Sequence, residues 1–409
     1  MKTNENKDIL FLCQFFYPEF VSSATLPFDT AKALKDAGLS VEVICGYPKE
    51  YSEEKNVKLI ENKDGISIHR LKYLQLKRSN FLGRIINYFS FTFMVLTRIF
   101  EFKKYKAVIV YSNPPVLPLV AVLAKKMFGC KLVFVAYDLY PEIALKTGAL
   151  NNGGVITRFM NLINNLVYKN SDQVVALDHK MKEFIIQNRP IKSENVSVIP
   201  NWYEDRINNK KSDITKNKFY SLYKSKVVIS YLGNMGICQD MDTILETIRL
   251  LKNDEDIHFL LAGHGNKSDR LKEVIENENL KNVDVFGFLK GKDYIDALEI
   301  SSCSLVSLAP GLSGLCVPSK TYANMMAAKP IIAIMEDSDL VEDIKSDRIG
   351  FSISNGESLL LSKLLKNLKN NRKDVETMGI NSRRVFLEKY EKNVCTKQYV
   401  KLFKALFSK

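Results

Sequence analysis

The feature that most constrains this chain is a rhythm of short, uninterrupted apolar runs separated by helix-length segments, and the rhythm occurs twice. In the first half the runs are ILFLC (9–13), SVEVICG (40–46), ISIHRL (66–71), KAVIVYS (106–112), KLVFVAYD (131–138), QVVAL (173–177) and VSVIP (196–200). Between them lie segments such as TLPFDTAKALKDAG (25–38), whose apolar residues fall at helical spacing and which closes on Gly38. Runs this continuous read as strands buried on both faces, which means a parallel sheet flanked by helices. The rhythm restarts with KVVISYLG (226–233), IHFLLAG (257–263), NVDVFGF (282–288), SCSLVSL (302–308) and KPIIAIM (329–335). The polar interval 201–224 has no clear period and reads as an interdomain linker with a lead-in helix. The expected fold class is α/β, with two Rossmann-like parallel-sheet domains facing a cleft. Their limits are 1–200 and 225–375, with helices over 376–409 and no strand after them. A chain of 409 residues suits two domains of about 200 each.

Composition closes off several function classes. The seven cysteines are scattered, without a CxxC, and several sit inside apolar runs. They read as buried free thiols in a reducing compartment rather than as a disulfide framework or a zinc site. The four histidines show no metal-ligand spacing, so no metal and no cofactor are expected. The start, MKTNENKDILFLC, passes from polar residues straight into a strand, unlike a signal peptide. No stretch reaches the ~20 apolar residues of a spanning helix. A net charge of +13 asks for an anionic partner.

In an open parallel sheet, ligands bind beyond the carboxyl ends of the strands, so the informative loops follow strands and open helices. Gly233-Asn234-Met235-Gly236 does so, with Gln239 soon after. Glycines let a backbone approach a ligand, and helix N-termini offer free N–H groups, so this loop reads either as a phosphate-binding turn or as an ordinary strand-to-helix turn. Gly263 and Gly265 repeat the design, with His264 between them as a loop residue. Backbone near Phe288 and Leu289 suits a flat base. After the run 302–308, the segment APGLSGLCVPSK brings Pro318, Ser319 and Lys320 to the expected mouth of a helix. Two N–H groups, a hydroxyl and an ammonium would suit a diphosphate there, and the small residues around Ser313 and Gly314 leave room for a sugar.

Taken in order, Gly-Asn-Met-Gly with Gln239, LLAGHG (260–265), VFGFL (285–289) and VPSKTYANMMAAKPIIA (317–333) resemble the nucleotide-sugar domain of bacterial family 4 glycosyltransferases of the GT-B fold. The closest likeness is to the subgroup that builds capsule, O-antigen and related exopolysaccharides, including N-acetylfucosaminyl-type transferases. FFYPEFVSSA (15–24), YDLYPE (137–142) and VIPNW (198–202) are similar to that family's first loop, acceptor-side strand end and interdomain junction. The sequence departs from the wider family at its paired glutamates, where Leu315 and Ala323 stand. It departs again at an arginine and a lysine, where Asn234 and Gln239 stand. The resemblance implies that the phosphate charge moves to Lys320, that the donor is a UDP-sugar, and that anomeric configuration is retained. It also implies a C-terminal helix packed back toward the first domain.

On that basis Lys320 and Ser319 would stabilise the departing diphosphate without a metal. The literal DxD matches at 240–242, 254–256 and 337–339 fit helix starts better, where Asp serves as a cap. On the acceptor side, Tyr137 stands where relatives carry a histidine. Asp138 or Glu142 would take or position the acceptor proton, although Asp138 reads equally well as a turn cap. Ser22 and Ser23 would let acceptor or donor phosphate approach.

One further stretch, KRSNFLGRIINYFSFTFMVLTRIFEFKKYK (77–106), interleaves aromatics with bases. From Lys72 to Lys106 there are eight basic residues and one acidic. Such a segment suits an anionic membrane surface, at roughly 1 kcal/mol per basic residue, and the other reading is a core helix with solvated flanks. Nucleic acid is not expected, for lack of any binding signature. The sequence therefore points to a retaining glycosyltransferase, cytoplasmic and peripheral on the inner face of the membrane. Its expected acceptor is a saccharide on a lipid such as undecaprenyl diphosphate. A non-catalytic sugar-nucleotide-binding subunit and a UDP-sugar epimerase of the same fold are the other classes compatible with these loops.

Overall fold

The apolar runs pair as parallel strands in two separate sheets. The computed structural model describes residues 7–49, 51, 52, 54, 56–77, 81–207 and 213–408, and divides the chain into two units. The first takes the residues up to Asn201, Gly314–Cys316 and the chain from Lys392 onward; the second takes Trp202–Ser313 and Val317–Glu391.

The first unit carries β1 (Lys7–Cys13), β2 (Val41–Gly46), β3 (Ile60–Lys63), β4 (Ile66–Leu71), β5 (Tyr105–Tyr111), β6 (Lys131–Val135), β7 (Gln173–Ala176) and β8 (Val196–Val198). They form one sheet in the order β3-β4-β2-β1-β5-β6-β7-β8. Only β3–β4 is antiparallel. Central β1 sets the register: Phe11 lies between Val43 on one side and Ile109 on the other, and all three are fully buried. The helices are α1 (Ser22–Asp36), α2 (Phe81–Leu96), α3 (Pro118–Phe128), α4 (Glu142–Lys146), α5 (Val155–Asn170) and α6 (His179–Asn188). Strands buried on both faces need such helical cover, which is why the runs lack alternation.

The second unit carries β9 (Val227–Leu232), β10 (Ile257–Ala262), β11 (Val283–Phe286), β12 (Cys303–Ser307), β13 (Ile331–Ile334) and β14 (Gly350–Ile353), all parallel, in the order β11-β10-β9-β12-β13-β14. Strand order reverses between β9 and β12, so the loop after β9 lies at the switch point where ligands of such sheets bind. Its helices are α7 (Tyr220–Tyr223), α8 (Met241–Leu250), α9 (Ser268–Asn277), α10 (Gly291–Ile300), α11 (Lys320–Met326), α12 (Asp339–Asp347), α13 (Ser358–Asn370) and α14 (Arg372–Val385).

Two strands escape sequence reading. β3, IENK, is a polar, largely exposed antiparallel edge, and β14, GFSI, is too short and mixed to stand out. The polar interval 201–224, of which 208–212 lie outside the described residues, carries more structure than a tether. Its Phe219 is buried against Phe286, and the Tyr223 hydroxyl donates to Asp284 Oδ2 at 2.6 Å, so its later part is anchored to the second sheet. The last helix, α15 (Lys392–Phe407), belongs to the first unit and packs on α1.

Candidate functional site

The glycines after β9 and β10 are there for one another. Gly263 has φ +154°, and a Cβ on it would lie 1.9 Å from the Gly233 carbonyl oxygen. Gly265 has φ +144°, and its Cβ would come within 2.5 Å of the Met235 carbonyl group. The two loops interlock: Met235 N–H donates to the His264 carbonyl, and Lys267 N–H to the Met235 carbonyl. The sequence motif therefore records a close loop–loop contact that no side chain would permit. Gln239 is used internally as well, its Oε1 accepting from Gly236 N–H at 2.9 Å. Asp240 is the N-cap of α8, accepting from Thr243 N–H and Oγ1 and from Asn355 Nδ2.

The interlocked loops place the Asn234 carbonyl where two groups converge on it. The Tyr231 hydroxyl donates to it at 2.8 Å and Lys320 Nζ at 3.2 Å. The Lys320 ammonium also sits 3.6 Å from the centroid of the fully buried Tyr231 ring. Among the described residues no carboxylate pairs with it. The lysine keeps some solvent access, yet its head lies within the protein, and burial holds its pKa well below the ordinary lysine value. The ring face partly offsets that penalty, by up to about 2 kcal/mol for a desolvated contact. A cation held by a π face and one carbonyl still has hydrogen-bonding capacity for an anion.

The other donor-side residues are placed as follows. α11 begins at Lys320 and is only seven residues long. Ser319, the residue before it, makes no capping bond, and Thr321 N–H and Oγ1 both turn to the Pro318 carbonyl. Of the N–H groups at this helix start, Thr321's is thus committed within the turn, and the Lys320 side chain is the strongest feature of the segment. The Ser313 hydroxyl is buried and, among the described residues, has no hydrogen-bond partner. Gly314 belongs to the first unit, where a Cβ would meet the Lys180 backbone at 3.3 Å, and the neighbouring Leu315 carbonyl accepts from Leu139 N–H. Phe288 is exposed and meets His264 edge-on at 5.4 Å; Leu289 beside it is half-buried. Sequence reading missed Tyr231, which looked like a plain strand residue. It also missed Lys267, whose Nζ reaches the Gln239 carbonyl at 2.8 Å and Asp242 at 3.3 Å. A lysine two residues after a Gly-x-Gly was the available signal.

In the first unit, Tyr137 and Asp138 follow β6, their N–H groups aimed at Ser112 Oγ. The Tyr137 ring lies 5.1 Å from that of Tyr111, and burial pushes its hydroxyl well above the usual tyrosine range. Asp138 is exposed, yet the protein packed around its carboxyl pushes that group up to about 6. Glu142 is committed elsewhere: Arg189 binds it at 2.6 Å while stacked near Tyr168 and Phe184. Of the two carboxylates, Glu142 is thus the one held by an arginine. Ser22 and Ser23 open α1, with Ser22 exposed and no side-chain cap on that helix.

Comparison with known proteins bears on the family and the fold. Residues 28–202 match the glycosyl transferase 4-like domain, and residues 213–385 match glycosyl transferases group 1. The probable glycosyltransferase WbjE of Pseudomonas aeruginosa is 25% identical over 329 residues, covering 80% of each chain. The putative colanic acid biosynthesis glycosyl transferase WcaI of Escherichia coli K12 is 26% identical over 212 residues, about half of each chain. Among solved structures, Anabaena HepE in complex with UDP and glucose superposes with a TM-score of 0.73 at 16% identity, over 98% of this chain and 100% of that one.

Proposed function

Because this chain belongs to the family 4 glycosyltransferases of GT-B fold, we propose that it moves a sugar from a UDP-sugar, with retention, to a lipid-linked saccharide in surface polysaccharide synthesis. The observation that carries the donor half is the Lys320 ammonium, poised on Tyr231 and the Asn234 carbonyl with no carboxylate paired to it among the described residues. A bound diphosphate would bring two negative groups to the buried Lys320 side chain, favour its charged form and oppose the charge that develops as the glycosidic bond breaks. HepE, of the same fold, was solved with UDP and with UDP-glucose, which supports the choice of nucleotide. Capping by Asp240 supports chemistry without a metal, since both its oxygens are already used.

On the acceptor side, Asp138 takes the proton of the attacking hydroxyl while Tyr137 lines the approach. The roles of relatives, colanic acid biosynthesis for the putative transferase WcaI among them, support a surface saccharide as product. The basic aromatic stretch 77–106, of which 78–80 lie outside the described residues, supports work at the cytoplasmic face of a membrane, where a lipid-linked acceptor would be met. Among the described residues no helix is long and apolar enough to cross a membrane.

The test is a thermal-shift panel of UDP-, GDP-, dTDP- and CMP-sugars on the wild type and on Lys320→Ala. UDP compounds are expected to stabilise the wild type and not the variant, and turnover in the variant is expected to fall by roughly 10²–10³. Equal stabilisation of both proteins would remove Lys320 from the donor site.

A further inference from the structure

α2 is apolar on both of its faces. Gly83, Asn87, Phe91 and Val95 are buried against the protein, whereas Leu82, Ile86, Phe89, Phe93 and Leu96 run along the opposite side in the open, Phe93 at 63% exposure. A helix apolar all round belongs in a core or in lipid, and this one is only half covered. The same holds for a second helix, one that sequence reading does not single out. α5 turns Ile163, Val167 and Tyr168 inward and leaves Val155, Phe159, Leu162 and Leu166 outward, a stripe at spacings of four, three and four, with Leu162 at 56%. α3 contacts both helices and adds exposed Leu123 and Met127, and Phe100, at 70% exposure, meets Phe128 at the end of α3. Neither α2, α3 nor α5 contains an Asp or Glu. Across residues 72–170 there are fourteen Lys or Arg against three Asp or Glu, a net of +11 within a chain of net +13.

We propose that α2, α3 and α5 together form one docking face for an anionic bilayer, and that α5 is the part of it beside the acceptor site. Isolated apolar side chains on a surface need no explanation, but three neighbouring helices with outward apolar stripes and one sign of charge do. Rings at the acyl boundary with Arg84, Lys126, Arg158 and Lys169 at headgroup level satisfy both features; water satisfies neither. An acidic protein partner would match the charge alone, and an apolar one the stripes alone. α5 is tied to the acceptor side by Asn164 Nδ2, which donates to the carbonyl of Tyr140, midway between Asp138 and Glu142. A lipid-borne acceptor lying along α5 would therefore present its headgroup to Asp138. That last step rests on the function proposed above; the docking face does not.

The experiment uses the full chain and vesicles of phosphatidylcholine with and without phosphatidylglycerol. The wild type is expected to sediment with the anionic vesicles and to be released by salt. Phe159→Ser/Leu162→Ser in α5 is expected to weaken that binding by about tenfold or more with an unchanged melting temperature, as is Phe89→Ser/Phe93→Ser in α2. Phe159→Trp, read against the one native tryptophan, buried Trp202, is expected to blue-shift on anionic vesicles and to be quenched by brominated lipid. Loss from the α2 variant alone, with Trp at 159 unquenched, would overturn the three-helix face and leave the role of 77–106 standing. No vesicle binding by the wild type would overturn both. A wild-type dimer dissolved by the α5 substitutions, without lipid binding, would make the face a protein interface and overturn the proposal. Donor-induced thermal shifts in the α5 variant report separately on the transferase reading.

Discussion

At the scale of single residues, the arrangement around Lys320 turns on Tyr231. Its ring holds the ammonium without neutralising it, and its hydroxyl shares the Asn234 carbonyl. Tyr231→Phe keeps the ring and is expected to leave donor affinity within a few-fold. Tyr231→Leu loses the ring and should weaken UDP binding by about tenfold, the equivalent of a 1–2 kcal/mol cation–π contact. Calorimetric titration with UDP, alongside melting temperatures, separates the two. Asp138 gives a pH prediction. A base works ionised, so with its carboxyl raised to about 6 the rate should fall as pH drops through about 6 and stay level above it. A pH–rate profile of Asp138→Asn should lack that limb at a much lower rate; an unchanged limb would assign it elsewhere. Lys320 was legible because a lysine among small residues after a strand is conspicuous. Tyr231 was not, because its role depends on a partner 89 positions away in the sequence.

At the scale of elements, glycine and its absence decide how tightly loops close. Gly263→Ala drives a methyl into the Gly233 carbonyl and should destabilise the second unit by about 3 kcal/mol or more, with donor binding lost in parallel. Ala328, just after α11, takes the opposite position: a non-glycine at φ 55°. Ala328→Gly should raise stability by about 1 kcal/mol, since only the left-handed strain of the L-residue is relieved. Urea melts of both variants check the two signs. Strands with long apolar runs were legible in the sequence, because burial on both faces leaves no freedom in their composition. β3 and β14 were not, because an edge strand needs few apolar residues and borrows its order from the neighbour it pairs with.

At the scale of the whole molecule, charge is uneven, and the unevenness has measurable consequences. Membrane binding that follows the +11 of residues 72–170 should weaken steeply with ionic strength. The first sheet also contains a buried charge centre. Burial alone would raise the Glu42 carboxyl, but bonds from His69, Tyr105, Lys7 and Lys104 outweigh it and hold its pKa far below the usual carboxylate range. A depressed carboxylate contributes stability that is fully present above the unfolded value near 4.3 and is lost as pH falls further. Glu42→Gln should therefore cost about 3 kcal/mol at neutral pH and flatten the acid limb of a denaturation series. Residue order alone carried the two parallel sheets, their helices and the family, and it singled out Lys320, because strand burial and loop glycines are local demands written into residue type. It took the folded chain to reveal that the glycines serve each other, that Glu142 belongs to Arg189, that Lys320 rests on an aromatic face, and that α5 joins α2 in an exposed apolar surface. Each of these depends on which distant side chains share a space, and spacing along a chain does not encode that.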